Sequence, residues 1–351
     1  MGASESVGRN RTAVKPAFRE ASRTHVRHAS TPSRALTDMY GSRLFRLALP
    51  LGGALVTAAL GLGAYVVHQL NGPRHRTWRD DYTFSPFEVG VEFEDVEFQT
   101  QDGLTLRGWW FPHPETKSVV VALSGHKGAK HDLLGIGSGL WRAGNNVLLF
   151  DFRGCGTSDA APLSLAHREL ADARAAVAYV RRRMPDARIG LIGFSMGAAV
   201  AILTAISDPE ITGVVSDSSF AGISEVVEAA YRRHGLPARI LVPIADALNR
   251  WRHGYTFSSV RPVDVISRLS PRPVLIIHGA DDAMTPVEQA NRLYEAAVEP
   301  KDLWITENTP HCGTYFVDRE EYVHRVAGFF GSLHGVLQRV DHEHDAAKLQ
   351  V

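Results

Sequence analysis

The sequence predicts an α/β domain built on a doubly wound, mostly parallel sheet of about eight strands. Two observations lead to this prediction. Short, unbroken apolar runs recur along the chain, and strands that are apolar on both faces are typical of a parallel sheet covered by helices on each side. Helical segments separate these runs, and an alternating series of strands and helices is the pattern of doubly wound folds.

The predicted strands begin with an antiparallel pair. Residues 91–98 alternate apolar and acidic side chains, and the turn signal Asp102-Gly103 leads into a second strand at 104–111. The later strands are 118–123, 146–150, 189–192, 211–215, 273–277 and the short 303–306. Helices are predicted at 165–183, 196–203 and 287–297.

Residues 221–261 interrupt the alternation. They are interpreted as a short cap of two helices, 223–231 and 240–251, inserted between the sixth and seventh strands. In a parallel sheet of this kind, an insertion at that point lies over the carboxyl ends of the strands. We therefore expect the cap to shape the pocket of any active site at that edge.

The N-terminal region contains a candidate membrane anchor. Residues 1–43 are rich in Ser, Thr, Arg and Ala without apolar periodicity, which predicts a disordered basic leader. The stretch 47–67, within an anchor predicted at 44–70, has no charged residue and is about as long as a bilayer core is thick. Arg43 and Arg46 precede it. This pattern favours a single transmembrane helix with a cytoplasmic leader and an extracytoplasmic domain.

Other interpretations of the apolar stretch stay open. A cleaved signal peptide would give a secreted protein, and a buried or interfacial helix of the soluble domain would need no membrane. Arg74, Arg76 and Arg79 follow the stretch and weaken the predicted orientation. The rest of the chain divides into a linker at 71–90, the α/β domain at 91–335 and a flexible tail at 336–351.

Composition excludes some classes of function. The 38 basic and 38 acidic residues cancel, whereas a nucleic-acid-binding domain normally has a basic excess. Cys155 and Cys312 are too few for a disulfide framework or a cysteine metal cluster. A disulfide between these two remains an alternative, and oligomeric state is not predicted.

Ser195 is the candidate nucleophile. It lies in Gly193-Phe-Ser-Met-Gly197, directly after an apolar strand and directly before a helix of small residues. This is the context of a nucleophile elbow, a sharp turn that holds a serine hydroxyl above the sheet. The serine then lies at a helix N-terminus, where the helix dipole favours a developing oxyanion.

A serine nucleophile needs a base and an acid that orients it. Asp281 and Asp282 both follow the strand at 273–277 and qualify by position as the acid, with Asp217 as an alternative after the preceding strand. His311 follows the last strand and is the candidate base. The chain order Ser, Asp, His agrees with the elbow motif.

These residues together resemble the α/β-hydrolase superfamily, and more narrowly its dienelactone-hydrolase-like and prolyl-oligopeptidase-like bacterial members. The resemblance covers residues 91–330. It rests on the segments 102–110, 123–126 and 151–158, the elbow, His278-Gly-x-x-Asp282 with Pro286, and His311. The family pattern selects Asp282 over Asp281, because its acid lies four residues after the His-Gly histidine.

The resemblance also implies an oxyanion hole. Its two donors would be the backbone N–H groups of Met196 and His126. The family usually has His-Gly where this chain has Ser124-Gly125, a departure that affects how the loop is held more than the backbone donor itself. The side chain of His126 is read either as a loop residue or as a group facing the substrate.

Two glycine-rich segments imitate nucleotide-binding motifs. Residues 125–130 lack the spacing of a phosphate-binding loop, and residues 154–159 lack the third glycine of a dinucleotide fingerprint. Cys312 adjoins His311 but has no elbow. No cofactor or metal is therefore expected.

The predicted activity is hydrolysis of a carboxylic ester, lipid-like if the enzyme is at a membrane. A peptidase or amidase, and an acyltransferase, are alternatives on the same three residues. A catalytically silent, membrane-tethered binding module is the alternative from another class, since fold alone does not give function.

Overall fold

The computed structural model describes residues 34–72 and 83–334, with side chains described at 52–72 and 83–333. The chain divides into two compact units, Met1–Ala54 and Leu55–Val351. Only the start of one helix is described in the first unit. The predicted C-terminal tail, most of the predicted leader and half of the predicted linker lie outside the described residues.

The second unit is built on an eight-stranded sheet in the order β1-β2-β4-β3-β5-β6-β7-β8, which confirms the predicted strand number. The strands are β1 Glu94–Gln99, β2 Thr105–Phe111, β3 Ser118–Leu123, β4 Asn146–Phe150, β5 Arg188–Phe194, β6 Gly213–Asp217, β7 Val274–Gly279 and β8 Lys301–Thr306. β2 pairs antiparallel with β1 and β4, and β3 to β8 pair parallel with one another.

The described residues contain nine α-helices. They are α1 Arg34–Asn71, α2 Leu134–Arg142, α3 Glu169–Arg183, α4 Met196–Ser207, α5 Ile223–Arg233, α6 Ala238–His253, α7 Glu288–Ala296, α8 Thr314–Val317 and α9 Arg319–His334. The helices α3, α4, α5, α6 and α7 occur where the sequence predicts helices, whereas α2, α8 and α9 were not among the predicted helices.

The sheet is covered on both faces, as unbroken apolar strands require. Alternate residues of β3 enter different clusters: Val119 and Val121 pack with side chains of α3 and α4, while Val120 and Ala122 pack with side chains of α2 and α9. Both faces of this strand are therefore in the core. In contrast, the edge strand β1 alternates buried and exposed residues along its second half.

The cap consists of α5 and α6, inserted between β6 and β7 at the predicted position. Both helices pack on the domain through apolar residues, among them Val227 of α5 and Leu241 of α6, which belong to the core cluster on the α3 and α4 side of the sheet. The two predicted cap helices are two and four residues shorter than the observed ones, because helix ends depend on capping contacts that apolar spacing does not encode.

α1 begins at Arg34, ten residues before the predicted anchor at 44, so it includes the end of the segment predicted to be disordered. Ala35, Leu36 and Met39 favour helix, and adding a turn to an existing helix is far easier than starting one. Its portion Gly52–Asn71 is apolar and long enough to cross a membrane, with a mean hydropathy of 1.4. A signal sequence has the same properties.

Candidate functional site

Ser195 lies at the turn between β5 and α4. Its backbone has φ 53° and ψ −116°, a left-handed conformation that costs a non-glycine residue roughly 1–3 kcal/mol. Its N–H donates a hydrogen bond to the carbonyl of Asp217 at 2.8 Å, which ties the turn to the end of the neighbouring β6. Strain of this kind persists only where the surroundings hold it, and here it brings the serine to the carboxyl edge of the sheet.

Two glycines make the turn at Ser195 sterically feasible. A Cβ on Gly193 would lie 2.1 Å from the carbonyl oxygen of Gly197, and a Cβ on Gly197 would lie 2.2 Å from the carbonyl oxygen of Leu123. Both contacts are with backbone atoms, which have no rotamer by which to move away. The strand-to-helix turn therefore requires glycine at both positions.

Asp282 and His311 are joined by a hydrogen bond. His311 Nδ1 lies 2.6 Å from Asp282 Oδ2, and the aspartate side chain is fully buried while that of His311 is 19% exposed. The neighbouring Asp281 is exposed. Of the two aspartates that qualify by sequence position, Asp282 is thus the one bonded to the imidazole, and this leaves Nε2 of His311 as the ring nitrogen available to another group.

Asp282 is held as a carboxylate by a dense set of donors. Its Oδ1 accepts the backbone N–H groups of Met284 and Thr285, each at 2.8 Å. His278 Nε2 lies 3.3 Å from Oδ2. Burial alone would raise the pKa of Asp282, but the hydrogen bonds from His278, His311 and Thr285 outweigh it and lower the pKa below its ordinary value. The group is therefore an anion that orients its partners.

Thr285 is a site residue that the sequence did not reveal. Its buried hydroxyl lies 2.8 Å from Asp282 Oδ2 and 3.1 Å from His311 Nδ1. The only signal in the sequence is its place between Asp282 and Pro286, in a loop whose path no local pattern fixes. The structure shows that this hydroxyl adjoins the hydrogen bond between the acid and the imidazole.

The loop of His311 is connected to the turn of Ser195 through the end of β6. Asp217 accepts the Ser195 N–H through its carbonyl, and the next residue, Ser218, accepts the N–H of Cys312 on its hydroxyl oxygen at 3.1 Å. Ser218 itself has φ 55°. Two consecutive residues therefore hold the turn of Ser195 and the loop of His311 beside each other.

Asp217, the alternative acid, forms other contacts. Its carboxylate accepts hydrogen bonds from the Ser218 hydroxyl and the Tyr322 hydroxyl, each at 2.8 Å, and its side chain is completely buried. Burial raises the pKa of Asp217. Its hydrogen bonds support the position of Ser218, and through it the loop of His311, which is a structural role.

The loop after β3 approaches the serine closely. A Cβ on Gly125 would lie 3.6 Å from the Cβ of Ser195, and Met196 is the first residue of α4. The ring of His126 is directed toward α1, with Nε2 3.4 Å from the carbonyl oxygen of Gln69. Burial lowers the pKa of His126 to about 4. Its side chain is therefore a neutral contact of the loop with α1.

Cys312 and Lys130 lack the features of the roles that the sequence suggested as alternatives. No disulfide joins Cys155 to Cys312, and burial raises the pKa of the Cys312 thiol, which opposes the thiolate that a nucleophile needs. Lys130, from the segment that imitates a phosphate loop, forms a buried ion pair with Asp151 and a 2.7 Å hydrogen bond to Thr157. Among the described residues, no group of three His, Cys, Asp or Glu side chains is gathered to hold a metal.

Known proteins resemble this chain over most of its length. A family model for the α/β-hydrolase fold matches residues 119–232, which include the turn of Ser195. YqkD of Bacillus subtilis is 30% identical over 296 residues, 80% of this chain and 96% of that protein. YfhR of Escherichia coli K12 is 31% identical over 257 residues, 70% of this chain and 82% of that protein. Among solved structures, the Pyrococcus furiosus esterase PF2001 matches with a TM-score of 0.62 and 28% identity, over 76% of this chain and 97% of that one.

Proposed function

The chain belongs to the α/β-hydrolase family, and from this premise we propose that it is a serine hydrolase that cleaves carboxylic esters through an acyl-enzyme. The observation that carries the proposal is the 2.6 Å hydrogen bond between His311 Nδ1 and Asp282, in a loop tied to the turn of Ser195. Similarity to an esterase of known structure favours an ester over an amide.

The first half of the proposed reaction acylates the enzyme. Ser195 Oγ attacks the ester carbonyl carbon while His311 Nε2 takes its proton, and Asp282 stabilises the resulting imidazolium. The N–H groups of Met196 and His126 bind the oxyanion. Loss of one such donor typically costs about 3 kcal/mol of transition-state stabilisation. The intermediate collapses as His311 returns the proton to the leaving alcohol.

The second half releases the acid. Water attacks the acyl carbon of the Ser195 ester, and His311 accepts a proton from it. Collapse of the second tetrahedral intermediate returns this proton to Ser195 Oγ and frees the carboxylic acid. The residues of this chain supply the nucleophile, the base and the donors that the two steps require.

We also propose that α1 anchors the enzyme in a membrane, with the domain on the extracytoplasmic side. The length and hydropathy of Gly52–Asn71 support the anchor, and the basic residues before it support the orientation. Recovery of the full chain in membranes after a carbonate wash would support it. Release into the supernatant would contradict it: a shortened chain would favour a cleaved signal peptide, and a full-length chain would favour a helix of the soluble domain.

Labelling with a fluorophosphonate probe tests the hydrolase assignment. The full-length wild type is expected to label, Ser195→Ala is expected to lose the label, and Ser258→Ala, at an exposed serine of the cap segment, is the matched control. A wild type that stays unlabelled, or a Ser195→Ala variant that labels equally, would indicate a silent binding module.

A chain-length series of esters, measured beside aminoacyl amides, then separates esterase from peptidase activity. Added alcohol acceptors reveal acyl transfer.

A further inference from the structure

The end of α1 packs against the cap. Its buried and half-buried positions recur at helical spacing: Ala59, Leu62, Gly63, Val66, Val67, Leu70 and Asn71. A Cβ on Gly63 would lie 3.0 Å from Leu248 and 3.3 Å from Ile244, which are both on α6. The absence of a side chain at Gly63 thus lets the two helices come into direct contact.

Buried hydrogen bonds reinforce this contact. Asn71 Nδ2 donates to Asn249 Oδ1 of α6 at 2.8 Å, and the hydroxyl of Tyr255 donates to Asn71 Oδ1 at 3.1 Å. The carbonyl of Asn71 accepts the N–H of Leu163 at 3.1 Å. Asn71 is only 2% exposed. The last turns of α1 therefore form part of the folded domain.

If α1 crosses a bilayer, its contact with α6 sets how deep α6 lies in the membrane. The candidate span ends at Asn71, and the helix rises about 12 Å from there back to Gly63, at about 1.5 Å per residue. The hydrocarbon core is roughly 30 Å thick. With Asn71 at the membrane surface, Gly63 and the residues of α6 beside it lie at the level of the acyl chains.

The outward face of α6 is suited to that environment. Leu241, Ala245 and Asn249 face the protein interior, whereas an apolar stripe faces outward and consists of Ile240, Pro243, Ala247 and Trp251. Ile240 is 62% exposed and Trp251 is 82% exposed.

The exposed Arg239 and Arg250 lie beside the stripe, on the side away from Leu248. An apolar stripe with a basic flank is typical of a helix at a lipid surface.

A groove of about 560 Å³ lies between the ends of α1 and α6 and is closed on a third side by residues 160–162. Its walls are mostly apolar, with Ala64 and Val67 from α1 and Leu248 and Trp251 from α6. Among the described lining residues the charged group is Arg252, and none is a carboxylate. This combination suits an apolar chain attached to an anionic group.

We propose that α6 lies in the same lipid leaflet as the end of α1, and that the groove between them binds an acyl chain of a bilayer phospholipid. Arg252 pairs with the phosphate of that lipid. The inference rests on the membrane anchor proposed above. The groove adjoins the proposed oxyanion loop, since His68 lines the groove and the carbonyl of the next residue, Gln69, contacts His126.

Fluorescence quenching tests the inference on the full chain reconstituted in phosphatidylcholine vesicles, with or without bromine on the acyl chains. The chain has 6 tryptophans, so the contribution of Trp251 is the difference between wild type and Trp251→Phe. We expect bromine to quench this contribution. Trp141→Phe is the control, because Trp141 is half-buried in α2 and donates a hydrogen bond to the carbonyl of Pro112. The contribution of Trp141, measured by the same difference, should not be quenched by bromine.

A bulky side chain in the groove distinguishes binding of an acyl chain in the groove from simple contact of α6 with the lipid leaflet. Ala64→Phe is expected to reduce the quenching of Trp251, because the acyl chain in the groove is excluded while lipid at the outward stripe still contributes. Ala58→Phe, the same change at an exposed α1 position outside the groove, should keep the wild-type quenching. Each variant is paired with its own Trp251→Phe counterpart, and circular dichroism verifies its fold. Equal quenching of Trp251 in both variants would contradict the proposal that an acyl chain occupies the groove.

Two further outcomes distinguish this inference from the proposals it follows. A chain that stays with the vesicles while Trp251 is not quenched would place α6 outside the leaflet and overturn the inference, with the anchor intact. A chain that does not stay with the vesicles would overturn the anchor and this inference together. Fluorophosphonate labelling of Ser195 is independent of both outcomes and reports on the hydrolase assignment alone.

Discussion

Asp282 holds the imidazole of His311 through a single short contact, 2.6 Å between Oδ2 and Nδ1. The aspartate cannot turn away, because its other oxygen accepts two backbone N–H groups from Met284 and Thr285. The hydrogen bond fixes which ring nitrogen carries the proton, so that Nε2 is free to accept one from a serine. The orientation of the proposed base is thus determined by the loop that follows β7.

Replacing Asp282 tests this orientation. Asp282→Asn is expected to lower kcat for a short-chain ester by about 10⁴, because the amide no longer stabilises the imidazolium and favours the wrong tautomer. Asp281→Asn is the matched control, since Asp281 is exposed and adjacent in sequence, and it should retain wild-type kcat. Steady-state kinetics and the rate of fluorophosphonate labelling measure both. An equal loss in the two variants would contradict the assignment of the acid.

Thr285 is expected to act as a positioning residue. Thr285→Val keeps the shape of the side chain but removes the hydroxyl that lies 2.8 Å from Asp282. Loss of a buried hydrogen bond costs about 1–3 kcal/mol, which corresponds to a fall in kcat of roughly 5- to 150-fold. KM should change little, because the hydroxyl is not proposed to contact the substrate. Thr285→Ser restores the hydroxyl and should rescue kcat. A valine variant with normal kcat would show that the contact is dispensable.

Gly197 is expected to be important for the stability of the fold. Gly197→Ala places a Cβ 2.2 Å from a backbone oxygen of β3, and strain of this kind costs about 1–3 kcal/mol or more. Gly328→Ala, at a position in α9 where a Cβ meets nothing within 4 Å, should be neutral or stabilising by up to about 1 kcal/mol. Thermal unfolding gives the comparison. A Tm for Gly197→Ala at or above that of Gly328→Ala would contradict the steric explanation of the elbow.

The ionisation of Glu169 is expected to make the free energy of unfolding depend on pH. Burial raises its pKa from 4.5 to about 7, against the opposing hydrogen bonds from Ser164. Between these values the unfolded chain releases the proton while the folded domain keeps it, so the free energy of unfolding falls as pH rises from about 4.5 to about 7 and stays low above that. Full loss of this contribution is on the order of 3 kcal/mol.

The variant Glu169→Gln cannot ionise at this position. Its free energy of unfolding should therefore fall less than that of the wild type when the pH is raised from 4.5 to 8. Glu307→Gln, at an exposed position, should keep the wild-type slope. Denaturant unfolding across this pH range measures the difference. Parallel curves for wild type and Glu169→Gln would show that the buried carboxyl does not control the pH dependence.

Much of the fold could be predicted because its signals are local. β3 and β4 begin and end at the predicted residues, and Ser195 follows β5 as the elbow motif indicates. Unbroken apolar runs are readable as buried parallel strands since each strand needs two covered faces. Local signals do not choose between Asp281 and Asp282 as the candidate acid. The family resemblance selects Asp282, which is the one bonded to His311 in the structure.

The order of the strands and the main helices, the turn at Ser195 and the candidate residues could be predicted from the sequence, because they depend on side-chain periodicity and on residues adjacent in the chain. Three contacts became visible only in the folded domain: Thr285 adjoins Asp282 and His311, Ser218 supports the loop of Cys312, and Asn71 bonds Asn249 across 178 positions. Such contacts arise where distant loops and helices meet. Their geometry follows from the packing of the whole domain, and no local pattern of residue types contains it.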